Sequence, residues 1–327
     1  MEERPVAFQW RDDDGDQGGG EGAPPPPVTL RGTLALPQAR NAAAADCPPT
    51  AVLLAHGYLS NRDGIPLFPA LARALAESHG IASLRFDFRG AGESDGETRL
   101  GDYEAQARQI DAARRFLERG EGAVEKQEEV PLFRVIGVLG HSKASTAALL
   151  NAADWARRLE AGGPPTDPPP PLLRLVALSG RFFMDRGLGR HFPPGELDAL
   201  LRGERPQGLP VSARELAEGV PAGRAVAFAL TERDARERMA VDPRAAAEAV
   251  ARCERVRVLV VHGSADRAVP AEDGGALYEA LAKAGAGARA RMVMIEGADH
   301  NFRRAEHLRA ALEPIVAFLV EEGAGRR

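Results

Sequence analysis

Short, almost unbroken apolar runs recur along the chain, each followed by a longer stretch with apolar residues at helical spacing. The runs are Ala51–Ala55, Ile81–Phe86, Val135–Leu139, Leu172–Leu178, Val256–Val261 and Arg291–Ile295. The amphipathic stretches lie near 66–79, 102–119, 143–160, 271–284 and 304–320. A strand without polar alternation must be covered on both faces, and helices between such strands supply the cover. The pattern predicts an α/β protein with a mostly parallel central sheet and helices on both faces. In such sheets ligands gather at the carboxyl ends of the strands.

Two stretches interrupt the pattern. "RDDDGDQGGGEGAPPPP" (11–27) is acidic, then Gly-rich, then Pro-rich, and cannot bury apolar surface. It predicts a mobile loop or tail, or else a connection between early strands around Val6–Trp10 and Val28–Leu36. "GGPPTDPPPP" (162–171) reads as a second surface loop. Neither marks a domain boundary, because the pattern resumes unchanged. The expected division is an N-terminal segment (1–28) followed by one domain (29–327). Residues 181–250 separate two strands by more than an ordinary crossover needs, which predicts a short helical cap inserted in that domain.

Composition narrows the function. At 327 residues with 44% hydrophobic content, the chain can build one large α/β core. A net charge of −5, with acids and bases interspersed and no basic block, argues against nucleic acid as a partner. No run of about 18 apolar residues is present, so no integral membrane segment is expected. Met1-Glu2-Glu3-Arg4 is not the start of a signal peptide. Two cysteines, Cys47 and Cys253, make no disulfide framework. A reduced, cytoplasmic protein is the expectation, its oligomeric state left open. Of 42 basic residues, only Lys126, Lys143 and Lys283 are lysines.

The residues after each strand carry the chemistry. His56-Gly57-Tyr58 follow the first run, Asp87-Phe88-Arg89-Gly90 the second, and Gly140-His141-Ser142-Lys143-Ala144 the third. His262-Gly263-Ser264-Ala265-Asp266 and Glu296-Gly297-Ala298-Asp299-His300 follow the last two. A serine, an acid and a histidine thus reach one sheet edge, in the chain order of a Ser-Asp-His triad. Ser142 sits where a strand turns into a helix, flanked by small residues that such a strained corner needs. His300 precedes the final helix and is the candidate base. His56 and His262 read as turn residues, His141 as pointing away from the serine, and His307 as solvated on a helix. Asp266 is the candidate acid. Asp299 is a rival by adjacency only, and reads as a turn cap.

The segments "VLLAHGYLSNRDG", "LRFDFRGAGESDG", "VLGHSKAS", "VLVVHGSADRAVP" and "IEGADHNF" resemble the α/β-hydrolase superfamily over residues 29–320. They are most similar to serine esterases of the cinnamoyl or feruloyl type, acylglycerol lipases and serine aminopeptidase S33-like hydrolases. The resemblance implies an α/β-hydrolase fold, a triad of Ser142, Asp266 and His300, and an oxyanion hole from the backbone N–H groups of Tyr58 and Lys143. Ala144 and Ser145 depart from the glycines common in these positions. Asp87-Phe88-Arg89-Gly90 matches a structural turn of the family, with the carboxylate capping loop N–H groups. The implied reaction is hydrolysis of a small-molecule carboxylic ester through an acyl-enzyme. Thioesterase, peptidase and non-catalytic ligand-binding readings stay open.

No cofactor is implied. The sequence holds no H-E-x-x-H, no C-x-x-C pair and no phosphate-binding glycine loop, so no metal or nucleotide is expected. Phe182, Phe192 and Leu197 are candidates for a substrate pocket, with packing of the cap an equal alternative. The side chain of Lys143 is read as an ion pair, either at the surface or just behind the reacting residues, and not as a catalytic group. Arg186 and Arg190 carry no assignment.

Overall fold

The computed structural model describes residues 1–12, 26–38, 48–124, 130–162, 172–189, 192–211 and 228–321. Cys47, Arg190 and most of both Gly/Pro-rich stretches lie outside the described residues. Every apolar run forms a strand: β3 (Thr50–Ala55), β4 (Ala82–Phe86), β5 (Arg134–His141), β6 (Leu173–Leu178), β9 (Val256–Gly263) and β10 (Ala290–Ile295). These six pair in parallel, in the order β4-β3-β5-β6-β9-β10.

Both faces of the sheet are covered, which is why its strands show no polar alternation. Val52 and Leu54 of β3 pack on one face with α1 (Leu67–His79) and α8 (Ala305–Val320). Leu53 and Ala55 pack on the other, with α2 (Tyr103–Arg119) and α3 (Lys143–Glu160). On β9, Leu259 and Val261 face one way while Val258 and Val260 face the other. Successive strand residues point to opposite faces, so both must be apolar when both are buried.

The first residues belong to this sheet. β1 (Glu2–Trp10) pairs antiparallel with β2 (Val28–Leu36), from Glu2 opposite Leu36 to Trp10 opposite Val28. β2 in turn pairs antiparallel with β4. The stretch from 11 to 27 therefore joins two strands, the second of the two readings its composition permitted. Phe8 is fully buried, stacked on Phe116 of α2 at 5.0 Å and edge-on to Phe86 of β4 at 5.9 Å.

Residues 181–250 divide in two. α6 (Pro243–Arg252) packs against α3 and against α7 (Ala271–Leu281), in the layer that covers the sheet. The remainder holds α4 (Glu196–Leu201), α5 (Glu232–Ala240) and a two-stranded antiparallel pair, β7 (Leu209–Val211) with β8 (Phe228–Leu230). It has a small core of its own, built from Leu188, Leu200, Leu209, Leu230 and Ala235. A capping box starts α5: Thr231 accepts from the Asp234 N–H while Asp234 reaches back to the Thr231 N–H. Among the described residues no helix is long and apolar enough to cross a membrane.

Burial of Phe8 makes β1 part of the domain's stability. Phe8→Ala should destabilise the protein by about 3–5 kcal/mol, read as a lowered urea midpoint. A change below about 1 kcal/mol, with the slope of the transition unchanged, would show that β1 is a dispensable addition.

Candidate active site

Backbone strain is concentrated at one edge of the sheet. The non-glycine residues at positive φ among those described are Leu59 (52°), Ser142 (54°), Ser179 (49°) and Phe302 (52°). They lie just beyond the carboxyl ends of β3, β5, β6 and β10. Such conformations cost about 1–3 kcal/mol each and persist only where the surroundings over-determine them.

Ser142 is the corner between β5 and α3, at φ 54° and ψ −119°. Its N–H donates to the Leu178 carbonyl at 2.9 Å, and its carbonyl accepts from the Ser145 N–H at 3.0 Å. A Cβ on Gly140 would overlap the Ala144 carbonyl, so only glycine fits two residues before the serine. Ser145, where the resemblance expects glycine, meets a compensating absence. A Cβ on Gly180 would fall 2.8 Å from the Ser145 Cβ and inside contact distance of its hydroxyl. The side chain gained at 145 occupies the space left empty at 180.

His300 and Asp266 meet as the sequence order anticipated. The His300 Nδ1 lies 2.7 Å from the Asp266 Oδ2, and both residues are buried. The second carboxylate oxygen accepts from the N–H groups of Ala268 and Val269, both at 2.8 Å. The His262 Nε2 comes within 3.3 Å of the shared Oδ2 and 3.0 Å of the Val269 carbonyl. Burial by itself would raise the Asp266 carboxyl. The hydrogen bonds from His262 and His300 outweigh it and hold the group well below the usual carboxylate range. Asp266 is built to stay an anion. Asp299 instead accepts from the Arg303 N–H at 3.0 Å, as a turn cap does.

Of the other histidines, His307 departs from the sequence reading, while His56, His141 and His262 make contacts that reading did not specify. His141 is buried with its ring 4.8 Å from that of His300, and its Nε2 donates to the His300 carbonyl at 2.9 Å. Burial, and next the nearness of His300, push its pKa down to about 3. Neutral His141 therefore supports the backbone of the candidate base. The His56 Nε2 accepts from the Phe88 N–H at 3.1 Å, which leaves its Nδ1 to donate to the Gly57 carbonyl at 2.7 Å. His56 thus joins the loop after β3 to the loop after β4. His307 is buried, not solvated, because α8 turns it toward Gly297. No sequence spacing announces the contacts of His141 or His262, since each depends on how the strand ends assemble.

The loop after β3 lies against the corner. A Cβ on Gly57 would stand 3.0 Å from both the Ser142 Cβ and the His141 Nδ1. Tyr58 follows it directly. Lys143 is the first residue of α3, where backbone N–H groups lack partners within the helix and favour negative charge. Its side chain is buried and its ammonium pairs with Asp102, the ion pair expected, set behind the site and not at the surface. Asp87 is fully buried, accepting from the Arg62 and Glu93 N–H groups at 2.7 and 3.0 Å and pairing with the Arg62 guanidinium.

The candidate pocket residues separate into two places. Phe182 is buried in the main core, edge-on to Phe183, and its N–H donates to Asp273 at 2.7 Å. Phe192 and Leu197 pack against the small core around Leu200 and Leu209. Arg186 lies over the Phe183 ring at 3.7 Å and 3.6 Å from Glu272.

The profile of the Alpha/beta hydrolase family matches residues 52–312, which take in the strands from β3 to β10 and all these loops. The chain belongs to that family. No curated protein matches the sequence. Among solved structures, the chain is similar to the α/β hydrolase GrgF from Penicillium sp. sh18, at 17% identity and a TM-score of 0.62. That match covers 97% of this chain and 98% of the other. It is similar also to Est1E from Butyrivibrio proteoclasticus with ferulic acid bound, at 19% identity and a TM-score of 0.55, covering 90% and 95%. The Pyrococcus furiosus esterase Pf2001 matches at 16% identity and a TM-score of 0.57, covering 97% and 91%. At these identities the likeness is one of fold, an α/β-hydrolase sheet with helices on both faces.

Two predictions follow from this hydrolase's geometry. Gly180→Ala should cost about 1–3 kcal/mol through its clash with Ser145, and adding Ser145→Gly should restore most of the loss. Equal melting temperatures for the single and double variants would show that the two positions do not compensate. The second concerns Asp266, whose folded-state carboxyl titrates below its unfolded value. Its stabilisation is complete above the ordinary carboxylate pKa and is lost as pH falls toward the folded value. Between about pH 5 and pH 2, wild-type stability should therefore fall more steeply than that of Asp266→Asn. Parallel curves from denaturant titrations would remove Asp266 as a source of acid lability.

Proposed function

We propose that the chain is a serine hydrolase that cleaves a carboxylic ester through an acyl-enzyme, with Ser142, His300 and Asp266 as its triad. The observation that carries this reading is the buried His300–Asp266 pair at 2.7 Å, on loops beside a serine held at positive φ. Ser142 Oγ attacks the ester carbonyl as His300 Nε2 takes its proton. Asp266 fixes the ring with a proton on Nδ1 and stabilises the imidazolium that forms. The N–H groups of Tyr58 and Lys143 receive the oxyanion, an interaction worth about 2.7–4 kcal/mol per donor where measured. His300 then protonates the departing alcohol. Water, deprotonated by the same ring, releases the acid and restores Ser142. The mechanism calls on no cofactor.

The residues between β6 and α6 form a helical cap in this proposal, on a domain that spans residues 29–327 and that β1 extends. Phe192 and Leu197 belong to the cap's own packing, and Phe182 anchors it to the core. Est1E, with ferulic acid bound, makes hydroxycinnamate esters a concrete first class to test. Thioesters and anilides use the same machinery and complete the panel.

Ser142→Ala should leave folding intact and abolish labelling by a fluorophosphonate, since Ser142 is the nucleophile in this scheme. Asp266→Asn should lower kcat by orders of magnitude, about 10⁴-fold in the comparable protease substitution, whereas Asp299→Asn should have little effect. Turnover of p-nitrophenyl and feruloyl esters measures both. Full labelling of folded Ser142→Ala, or the reverse ranking of the two aspartates, would overturn the assignment.

A further inference from the structure

The elbow carries a buried charge that the proposed chemistry does not use. Lys143 is only 4% exposed, and its stem leaves α3 into the protein, not toward solvent. Its ammonium donates to the Arg99 carbonyl at 2.6 Å and pairs with the Asp102 carboxylate. Two aromatic rings flank it: Tyr58 at 5.3 Å and Tyr103 at 5.1 Å, both within cation–π range. Burying an ammonium is costly unless its charge and its donors are met, and an apolar residue could fill the same volume.

The partners of this ammonium are not a random set. Tyr58 is the proposed donor of one oxyanion N–H, and Lys143 itself supplies the other. Tyr58 lies next to Leu59 at φ 52°, in a loop that needs external support to keep that conformation. On its other side the ammonium holds the 99–102 loop, which is fastened to α5. The Arg99 guanidinium meets Asp234 at 3.2 Å and Glu237 at 2.8 Å, and the Gly101 N–H donates to Asp234 at 3.3 Å. Arg89 adds a second cation 3.6 Å from Asp102. A single side chain thus touches the ring of one oxyanion residue, extends from the backbone of the other, and grips the loop that α5 holds.

We propose that the Lys143 side chain is a positioning group that keeps the two oxyanion N–H donors in register and couples them to α5. The inference rests on the proposed oxyanion roles of Tyr58 and Lys143. The contact acts through the Tyr58 ring, so the geometry it fixes is that of the transition state, not of the bound ester. Burial lowers the Lys143 pKa, and the Asp102 carboxylate opposes that fall.

The test uses the full chain with Lys143→Met, Tyr58→Leu, the double variant and Lys143→Arg. For each, kcat and KM on one p-nitrophenyl ester, the rate of fluorophosphonate labelling and the melting temperature are measured, with rates counted per titrated active site. Lys143→Met should lower kcat about 10- to 100-fold, the scale of a displaced catalytic group, with little change in KM. Tyr58→Leu should do the same, and the double variant should be no worse than the worse single one. Lys143→Arg, which keeps the charge, should recover part of the rate. If Lys143→Met does not fold, pairing it with Asp102→Asn removes both buried charges and carries the same expectation. A lowered melting temperature with kcat per active site unchanged would overturn the inference, as would effects of Lys143→Met and Tyr58→Leu that multiply independently. Wild-type protein that labels while Lys143→Met labels equally fast would overturn the inference alone. Wild-type protein that neither labels nor turns over any ester would overturn the serine-hydrolase reading and this inference with it.

Discussion

The turn at Ser142 is the constraint on which the surrounding structure is organised. A strand buried on both faces must deliver its next residue straight into a helix, and the chain reverses direction within one positive-φ residue. An L-residue adopts that conformation at a cost, so the neighbours have to close every alternative. They do so by absence as much as by contact. Gly140 leaves room for the Ala144 carbonyl, and Gly180 leaves room for Ser145. The Leu178 carbonyl takes the Ser142 N–H and fixes β5 against β6 at the point where both end. Packing at this density transmits any added atom into the backbone, which is why the elbow tolerates an unusual residue only with a glycine opposite it.

Charge at the same edge follows a consistent logic. Asp266 and Asp87 are each buried and each surrounded by donors, several of them backbone N–H groups that cannot move away. Burial among such donors holds Asp266 as an anion. His56 and His141 are the complement: burial keeps them neutral, and their ring nitrogens join one loop to another. His300 and His262 both meet the Asp266 anion, and the His300 carbonyl is held by His141, the residue before the strained serine. The edge thereby separates groups that hold charge from groups that hold geometry, and under the proposed mechanism proton movement falls to the His300 imidazole.

The sequence made the sheet legible because its cause is local. Two-faced burial writes itself into consecutive apolar residues, so six strands and five helices could be placed to within a few positions. The positions of Ser142, Asp266 and His300 beyond strand ends were legible for a related reason: strand ends are readable, and a parallel sheet brings strand ends together. What escaped reading depends on partners far along the chain. Ser145 looked like a flaw until Gly180, on the next strand's loop, was placed opposite it. His141 and His262 gained their roles from His300 and Asp266, and Lys143 from Tyr58 and Asp102. The strands β1 and β2 were readable as a pair, but the composition of the stretch between them left a tail as the other reading. α6 has the same apolar periodicity as a cap helix would, and only its packing on α3 and α7 assigns it to the sheet's covering layer.

The segment between β6 and α6 is attached to the edge by backbone-directed bonds as well as by Phe182 and Met184, which are buried in the main core. Asp273 of α7 accepts from the N–H groups of Phe182 and Phe183, and within the segment Arg238 of α5 donates to the carbonyls of Met184 and Arg186. Arg181 reaches the Ala268 carbonyl, next to the loop that carries Asp266. Apolar contacts would let the segment slide, since dispersion has no preferred direction. Hydrogen bonds to particular carbonyls set its position relative to the loops that hold Ser142, Asp266 and His300. The small core around Leu200 and Leu209 then supplies the segment's internal rigidity, independent of the sheet. An arrangement with one core for the strand-end machinery and another for the segment beside it lets the two vary separately, provided the polar links between them are kept.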